Sequence, residues 1–337
     1  MIDKKSLEKF DSQGMYKAYE KWPDFAKEFF NLDIEPINFK NPSHLVLVGM
    51  GGSGAICDIF SSILSKTNIH TEVVKGYHLP KTVDSKTVII IASVSGNTDE
   101  SLSVLKQSKK ITKKIVCFSS GGKIEKFCLK NNIKYRKIPM IHSPRASFVV
   151  YLYSMLKVLL PILPIKKSNI DESIKGLKII SKKILIDNLS EKNPAINLAK
   201  CIKGTPIIYY PFGLQSAAIR FKNSLQENSK YHAITEDIIE SCHNGIVSWE
   251  RKSNIIPILI QGKDDHIKTK QRWKIIKQYF KENQIQYIEI ISNNGNILTK
   301  LIELIYILDL ATIYLAIIKK IDPSPVNSID YVKRKLN

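Results

Sequence analysis

The sequence predicts an α/β fold built from two three-layer αβα sandwiches with mostly parallel sheets, and two observations support this. Short apolar runs alternate with helical stretches in both halves of the chain, a pattern typical of βαβ units. The chain is also 337 residues long, which exceeds what one hydrophobic core usually holds. We therefore expect two α/β domains.

The first half of the chain supplies the strands of one predicted sheet. These runs lie at residues 45–48, 71–74, 88–93, 114–118 and 133–138. Helical stretches follow three of these runs: one covers about residues 55–66, one ends at about residue 109 and one ends at about residue 130. Residues 146–190 are helical in pattern, with interruptions at Pro161 and Pro164. We therefore predict an N-terminal domain at residues 1–155, with a helical segment at its start, and a helical connector at residues 156–194.

The alternation resumes in the second half of the chain. Strand-like runs lie at residues 206–210, 255–260 and 287–291. The helical stretches cover about residues 214–228, 269–283 and 296–320. These elements predict a C-terminal domain at residues 195–337, which ends in a basic amphipathic turn.

The charge balance is strongly basic, but its distribution does not indicate a nucleic-acid partner. Lysine and arginine number 51 against 31 acidic residues, a formal net charge of +20. The basic residues are scattered, and the longest cluster is Lys333-Arg334-Lys335. Nucleic-acid-binding proteins usually concentrate charge on one face. The positive field would instead attract a phosphorylated substrate.

Cysteine usage and apolar patterning indicate a cytoplasmic protein. The five cysteines are an odd number without C-x-x-C spacing, so we expect no disulfide framework and no cysteine zinc site. The N-terminus lacks the apolar region of a signal peptide. Two long apolar stretches, residues 148–165 and 301–318, contain prolines or acidic residues. We expect both to be buried helices, with no membrane partner.

The glycine-rich segment GMGGSG at residues 49–54 follows the first predicted strand. It matches the G-x-G-x-x-G pattern of dinucleotide-binding folds. In those folds the next strand ends in an acidic residue that binds the ribose, whereas here the next strand-like run is followed by Lys75. NAD binding is therefore disfavoured. A glycine turn before a helix still presents backbone N–H groups to an anion, and Ser53 adds a hydroxyl. A tight turn without a ligand remains the alternative.

The segment SVSGNTDE at residues 93–100 contains three hydroxyls around one glycine, on Ser93, Ser95 and Thr98. Hydroxyls and N–H groups that converge at a helix N-terminus suit a phosphate monoester. The segment lacks the lysine of a Walker A loop, so nucleotide hydrolysis is not expected. An ordinary Ser/Thr-rich helix cap is the alternative.

Three further residues are candidates for proton transfer or charge stabilisation. Arg145 lies at a strand-to-helix junction, where a guanidinium suits a phosphate or oxyanion, although a surface arginine is equally expected. Glu227 shares a helical face with Arg220 and Ser224 and suits a general base. His243, in a polar turn, is either an acid/base group or structural. No metal-ligand spacing is present, so we predict no metal and no cofactor.

Taken together, these segments resemble the bifunctional phosphoglucose/phosphomannose isomerases, a family with the sugar isomerase (SIS) fold. The matching segments are GMGGSG (49–54), SVSGNTDES (93–101), PRA (144–146), FGLQSAAIRFKNSLQENSK (212–230), SCHNGIVSWE (241–250) and DPSPVNSIDYVK (322–333). Many SIS proteins share the first two, whereas ENSK, HN and DPSPV together are more specific. The resemblance implies two SIS-type sandwiches, a homodimer with a shared active site and no cofactor.

The resemblance also implies a reaction and a role for each residue. The chain would interconvert fructose 6-phosphate with glucose 6-phosphate, and with mannose 6-phosphate, through a cis-enediol. Glu227 would move the proton between C1 and C2, and Arg145 would stabilise the charge of the intermediate. His243, donated by the partner subunit, and Lys333 would assist ring opening. The phosphate of the sugar would be held by Gly52, Ser53, Ser93, Ser95 and Thr98.

The chain departs from the family pattern at several positions. It reads LQENSK at residues 225–230 instead of LNENAK, which retains the glutamate, and Gly245 replaces the glutamate of HNE. Ser324 replaces the threonine of DPTPV. If that threonine helps to accommodate the C2 epimer, Ser324 is the candidate specificity residue.

Two other functions remain open from the sequence. A non-catalytic SIS sensor of sugar phosphates would use the same two loops, but it needs no catalytic base. An isomerase of another sugar phosphate would keep the base and change the substrate contacts.

Overall fold

The computed structural model describes residues 2–188 and 192–336. The chain divides into two compact units. The first-sheet unit comprises residues 21–175 and 296–299. The second-sheet unit comprises the described residues of 1–20, 176–295 and 300–337.

The regular elements alternate along the chain as the sequence predicts. The strands are β1 (His44–Val48), β2 (His70–Val74), β3 (Val88–Ser93), β4 (Ile115–Ser119), β5 (Lys134–Lys137), β6 (Thr205–Tyr210), β7 (Ile234–Asp237), β8 (Ile255–Gln261) and β9 (Ile288–Ile291). The helices are α1 (Lys4–Phe10), α2 (Met15–Glu20), α3 (Trp22–Phe30), α4 (Gly51–Leu64), α5 (Asp99–Ser108), α6 (Gly122–Lys130), α7 (Phe148–Leu159), α8 (Lys167–Ile184), α9 (Pro194–Cys201), α10 (Gln215–Ser229), α11 (Ile238–Ser241), α12 (Ile267–Glu282), α13 (Ile297–Ile318) and α14 (Asn327–Leu336). Short 3₁₀ turns lie at Leu160–Ile162 and Gly245–Glu250.

The first-sheet unit contains a five-stranded sheet in the order β2-β1-β3-β4-β5, and its strands pair in parallel. From β1 the chain adds β2 on one side of the sheet, and from β3 it adds β4 and then β5 on the other side. Right-handed crossovers therefore place α4 on one face and α5 and α6 on the other. A shared core joins Val104 of α5 and Ile124 of α6 to Val46 and Ile89 of the sheet, which confirms one of these faces.

The reversal of direction between β1 and β3 creates a crevice at the carboxyl ends of these two strands. In open parallel sheets, ligands bind at such a switch point. The loops that follow β1 and β3 contain the two segments that the sequence singled out, residues 49–54 and 93–98. The topology therefore brings both candidate phosphate loops to one edge of the sheet.

The second-sheet unit contains a four-stranded parallel sheet in the order β7-β6-β8-β9. Its core combines Leu259 of β8 with Trp273 and Phe280 of α12. The sequence predicted β6, β8 and β9 but missed β7, which is four residues long and reads ITED. With a single apolar residue, β7 shows neither an apolar run nor an alternation that marks a strand.

Both long apolar stretches are helices, as predicted. Nearly every residue of α7 is buried. Among the described residues, α13 is long and apolar enough to cross a membrane, but 89% of its most apolar window is buried inside the protein. Asp309, within α13, is fully buried. A buried acidic side chain that is paired within the protein is typical of a core helix, whereas an acidic side chain in lipid costs free energy.

Candidate active site

The predicted site residues fall into two groups, one in each unit. Gly52, Ser53, Ser93, Ser95, Thr98 and Arg145 belong to the first-sheet unit. Glu227, His243, Ser324 and Lys333 belong to the second-sheet unit.

The loop after β1 turns directly into α4, which begins at Gly51, four residues earlier than predicted. Glycines normally weaken a helix, but a side chain would be crowded at Gly49, before the helix, and at Gly52, within it. A Cβ at Gly49 would lie 2.9 Å from the backbone carbonyl carbon of Ser53. A Cβ at Gly52 would lie 3.1 Å from the carbonyl oxygen of Pro144 and 3.3 Å from the Cα of Arg145. The glycines therefore let this turn pack closely on the segment that contains Arg145.

Ser53 connects the two candidate phosphate loops. Its Oγ accepts a hydrogen bond from the backbone N–H of Val94, at 3.1 Å. Val94 follows β3, so the first turn of α4 is fixed against the β3–α5 loop. Ser53 is buried, and its hydroxyl still has a proton to donate. The two loops thus form one continuous surface at the switch point.

The hydroxyls of the β3–α5 loop converge. Ser93 and Thr98 form a hydrogen bond between their hydroxyl oxygens at 3.0 Å, and Ser95 Oγ accepts from the N–H of Asn97 at 3.3 Å. Thr98 is the N-cap residue of α5, but its side chain makes no capping hydrogen bond. Its hydroxyl pairs with Ser93 instead, so the backbone N–H groups of the first turn of α5 receive no bond from this side chain.

A second glycine contact fixes the shape of this loop. Gly96 has a positive φ of 66°, and a Cβ there would collide with the carbonyl oxygen of Gly121. Asn97 Oδ1 accepts from the N–H of Lys123 at 3.0 Å. The loop is therefore held on the start of α6 as well as on α4. Such support from neighbouring elements preorganises a binding loop.

Arg145 is 5% exposed and lies beside Gly52 through the close contact described above. Ala146 accepts a hydrogen bond from the indole N–H of Trp22 at 3.1 Å, which fixes the backbone next to Arg145. The first-sheet unit thus brings the backbone of Arg145 beside a glycine turn and a cluster of hydroxyls at the carboxyl ends of β1 and β3. A glycine turn, hydroxyls and a guanidinium are components that bind a phosphate or stabilise an oxyanion.

In the second-sheet unit, Glu227 is half-buried near the C-terminal end of α10. The two residues that share its helical face have structural partners. Arg220 donates to Asp309 Oδ2 at 2.6 and 3.0 Å, and Ser224 donates to Asp309 Oδ1 at 2.7 Å. Burial raises the pKa of Asp309, and the Arg220 guanidinium opposes that effect. The shared face predicted from the sequence therefore attaches α10 to α13.

The last turn of α10 makes two more polar contacts with α13. Asn228 Nδ2 donates to Thr312 Oγ1 at 2.9 Å, and Ser229 Oγ donates to the carbonyl of Thr312 at 2.6 Å. Both residues follow Glu227 in the sequence and are fully buried. The position of Glu227 is therefore determined by buried contacts of the residues around it. The sequence signal for these contacts was a pair of polar residues, Asp309 and Thr312, within the apolar run of α13.

Lys230 ends α10 and connects it to the C-terminal tail. Its backbone is left-handed, with φ 58° and ψ 32°. Its ammonium group donates to the carbonyl of Glu227 at 2.6 Å and to that of Pro323 at 3.5 Å. Ser324 is buried, and its N–H donates to Asp322 Oδ1 at 2.9 Å. The structure thus brings the predicted specificity residue, Ser324, close to the helix end that contains Glu227.

His243 and Lys333 are exposed. His243 follows α11 in a turn, and its N–H donates to the carbonyl of Glu240 at 2.9 Å. A Cβ at Gly245 would collide with the carboxylate of Glu236, whose pKa is raised by burial and by Glu240. Lys333 lies on α14, a ten-residue helix where the sequence predicted only a turn.

Comparison with known proteins agrees with the fold and with these segments. The model of the SIS domain matches residues 38–156, and that of the bacterial phospho-glucose isomerase C-terminal SIS domain matches residues 191–336. A hypothetical protein from Thermus thermophilus has a similar fold, with a TM-score of 0.75 and 13% identity over 98% of this chain and 92% of that chain.

Two curated relatives are informative about function. The D-glucosamine-6-phosphate 4-epimerase of Sulfolobus acidocaldarius is 28% identical over 73% of this chain and 77% of that protein. The bifunctional phosphoglucose/phosphomannose isomerase of Caldicellulosiruptor bescii is 33% identical over 96% of each chain. With two SIS sequence matches, two parallel sheets and near full-length similarity to that isomerase, this chain belongs to the bifunctional phosphoglucose/phosphomannose isomerase family.

Proposed function

We propose that this protein interconverts fructose 6-phosphate with glucose 6-phosphate and with mannose 6-phosphate. The observation that supports this most directly is the convergence of both candidate phosphate loops at one switch point, joined by the hydrogen bond between Val94 and Ser53. A phosphate bound by Gly52, Ser53, Ser93, Ser95 and Thr98 would anchor the sugar without taking part in the reaction. Binding energy from such a remote group orients the reacting carbons.

The reaction moves one proton between C1 and C2 of the open-chain sugar. Glu227 takes the proton from the carbon next to the carbonyl and returns it to the other carbon, so the carboxylate is regenerated. Arg145 stabilises the negative charge that develops on the oxygen of the enediol. His243 and Lys333 assist the ring opening that precedes this step. A proton also moves from the hydroxyl oxygen to the former carbonyl oxygen. One carbon is oxidised as its neighbour is reduced within the same sugar, so the reaction needs no external electron acceptor.

The shared site that the resemblance implies requires a homodimer, and the exposed face of α14 supports one. Ile329, Val332 and Leu336 lie at helical spacing and are 40%, 54% and 72% exposed. An apolar stripe of this kind on an exposed helix usually contacts another chain. The exposed turn that contains His243 is likewise accessible to a partner subunit. The described cysteines are all free thiols, which supports a cytoplasmic location.

The function is tested with the purified full-length protein, fructose 6-phosphate and EDTA, with the products separated by chromatography. We expect both glucose 6-phosphate and mannose 6-phosphate. Formation of glucose 6-phosphate alone would mean that the enzyme does not act on mannose 6-phosphate. The Ser324 region would then be the candidate cause of this narrower specificity. If neither product forms while fructose 6-phosphate still raises the melting temperature, a sensor or an enzyme acting on another sugar phosphate replaces this proposal.

The catalytic base is tested by Glu227→Gln, which keeps the size of the side chain and removes its basicity. We expect kcat to fall at least about 100-fold, because general acid–base groups contribute that much or more. Binding of fructose 6-phosphate, followed by thermal shift, should be retained. Glu282→Gln, an exposed glutamate at the end of α12, is the matched control. Activity close to wild type in Glu227→Gln would exclude this residue as the base.

A further inference from the structure

Three potential metal ligands lie together on the first-sheet unit, away from both candidate loops. His44 of β1 and His70 of β2 are paired in the parallel register, and Glu72 lies two residues after His70. Side chains two residues apart in a strand point to the same face, so all three share one face of the sheet. One ligand atom from each lies within 4.8 Å of the others. The sequence did not show this cluster because its two histidines are on different strands.

The hydrogen bonds around His44 determine which ring nitrogen is available. Thr87 Oγ1 donates its single proton to Asp84 Oδ1 at 3.0 Å and accepts from the N–H of Asp84 at 3.1 Å. His44 Nδ1 lies 3.1 Å from the same oxygen. Because that hydroxyl proton is already directed at Asp84, His44 Nδ1 must be the donor in this contact. The neutral ring then has its lone pair on Nε2.

His44 Nε2 is buried and has no hydrogen-bond partner among the described residues. A buried polar atom without a partner is costly, and the residue that contains this atom is one of the three in the cluster. The rings of His44 and His70 lie 5.0 Å apart between centroids.

We propose that His44, His70 and Glu72 form a binding site for one divalent transition-metal ion of the zinc class. Two imidazoles and one carboxylate are a known ligand set for Zn²⁺, and water completes the tetrahedral coordination. The contact from His44 Nδ1 to Thr87 is the outer hydrogen bond that orients a metal-bound histidine. The bound ion would join the edge strand β2 to β1.

The position of this site separates it from the proposed reaction. His44 begins β1 and His70 begins β2, whereas the candidate phosphate loops follow the opposite, carboxyl ends of β1 and β3. A metal ion here would be structural, so isomerase activity in EDTA would not depend on it. Failure of the metal proposal therefore leaves the proposed function intact, and the reverse also holds.

The test is titration of the full-length protein with Zn²⁺ alone, after metal removal with EDTA and dialysis, by calorimetry. We expect one ion per chain. His70→Ala, at an exposed position, should weaken binding more than about 10-fold, because even loss of an outer hydrogen bond costs that much. His78→Ala, an exposed histidine of the same unit, is the matched control and should bind like wild type. Equal binding by wild type and His70→Ala, or no binding by wild type, would overturn the proposal.

A second measurement uses Co²⁺ and thermal unfolding. Co²⁺ in a tetrahedral site gives intense visible absorption bands, and we expect these with wild type and with His78→Ala but not with Glu72→Gln. Added Zn²⁺ should raise the melting temperature of wild type and not that of Glu72→Gln. An unchanged melting temperature in wild type at saturating Zn²⁺ would contradict the structural role.

Discussion

Among single residues, Gly52 is the one that places the candidate phosphate loop in close contact with the backbone of Arg145. A side chain at this position would press on Pro144 and on the backbone of Arg145. The absence of a Cβ therefore couples the phosphate loop to the proposed oxyanion stabiliser.

This coupling predicts the effect of Gly52→Ala. The added methyl group must displace Pro144 and Arg145 by a few tenths of an ångström, and misplaced catalytic groups are costly. We expect kcat/KM for fructose 6-phosphate to fall at least about 10-fold, with both KM and kcat affected, because phosphate binding and charge stabilisation change together. Steady-state kinetics measures this effect. Gly76→Ala, where a Cβ would meet open space, should leave the kinetics unchanged. Unaltered kinetics in Gly52→Ala would refute the coupling.

Among the regular elements, α10 and α13 show how the candidate base is positioned. Arg220 and Asp309 form a salt bridge whose side chains are 3% and 0% exposed. Removal of one partner from such a pair leaves a buried charge uncompensated. The end of α10 that contains Glu227 then keeps the polar contacts of Asn228, Ser229 and Lys230.

We therefore predict that Asp309→Ala lowers the free energy of unfolding by about 3–5 kcal/mol. Urea denaturation of the purified variant, followed by circular dichroism, measures this loss. The double variant Arg220→Met/Asp309→Leu should recover much of it, because an apolar pair of similar volume does not bury a charge. Asp330→Ala, on the exposed helix α14, is the control. A loss below about 1 kcal/mol would mean that Arg220 finds other compensation.

The strands and helices also show how much of this structure the sequence predicts. Strands such as β3, six residues that are all buried, were predicted with their observed bounds because continuous apolar runs identify them. The strand β7 was missed because its composition does not indicate a strand. Only its pairing with β6 makes it one. The face shared by Arg220 and Glu227 was predicted from helical spacing. The buried partner on α13, 89 residues after Arg220, is a long-range contact that spacing cannot reveal.

For the whole molecule, the proposed homodimer depends on surfaces that one chain leaves exposed. The apolar stripe on α14 predicts that Val332→Asp places a charge in the subunit contact. We expect this variant to elute as a monomer with little activity, because a shared site needs both chains. Light scattering coupled to gel filtration measures the mass. Arg334→Ala, on the same helix, is the control and should remain dimeric. A dimeric Val332→Asp variant, or a monomeric wild type, would show that the stripe is not the contact.

The origin of His243 in a shared site gives a sharper prediction. Glu227→Gln and His243→Ala should each be nearly inactive as homodimers. If His243 acts in the site of its partner, a mixed dimer contains one site with both residues intact, formed by Glu227 of one chain and His243 of the other. Equal amounts of the two variants, denatured and refolded together, should therefore recover about one quarter of wild-type activity, since about half of the dimers are mixed. Refolding each variant alone is the control and should recover none. If both residues act within one chain, the mixed dimer has no intact site, and activity stays at the level of the single variants.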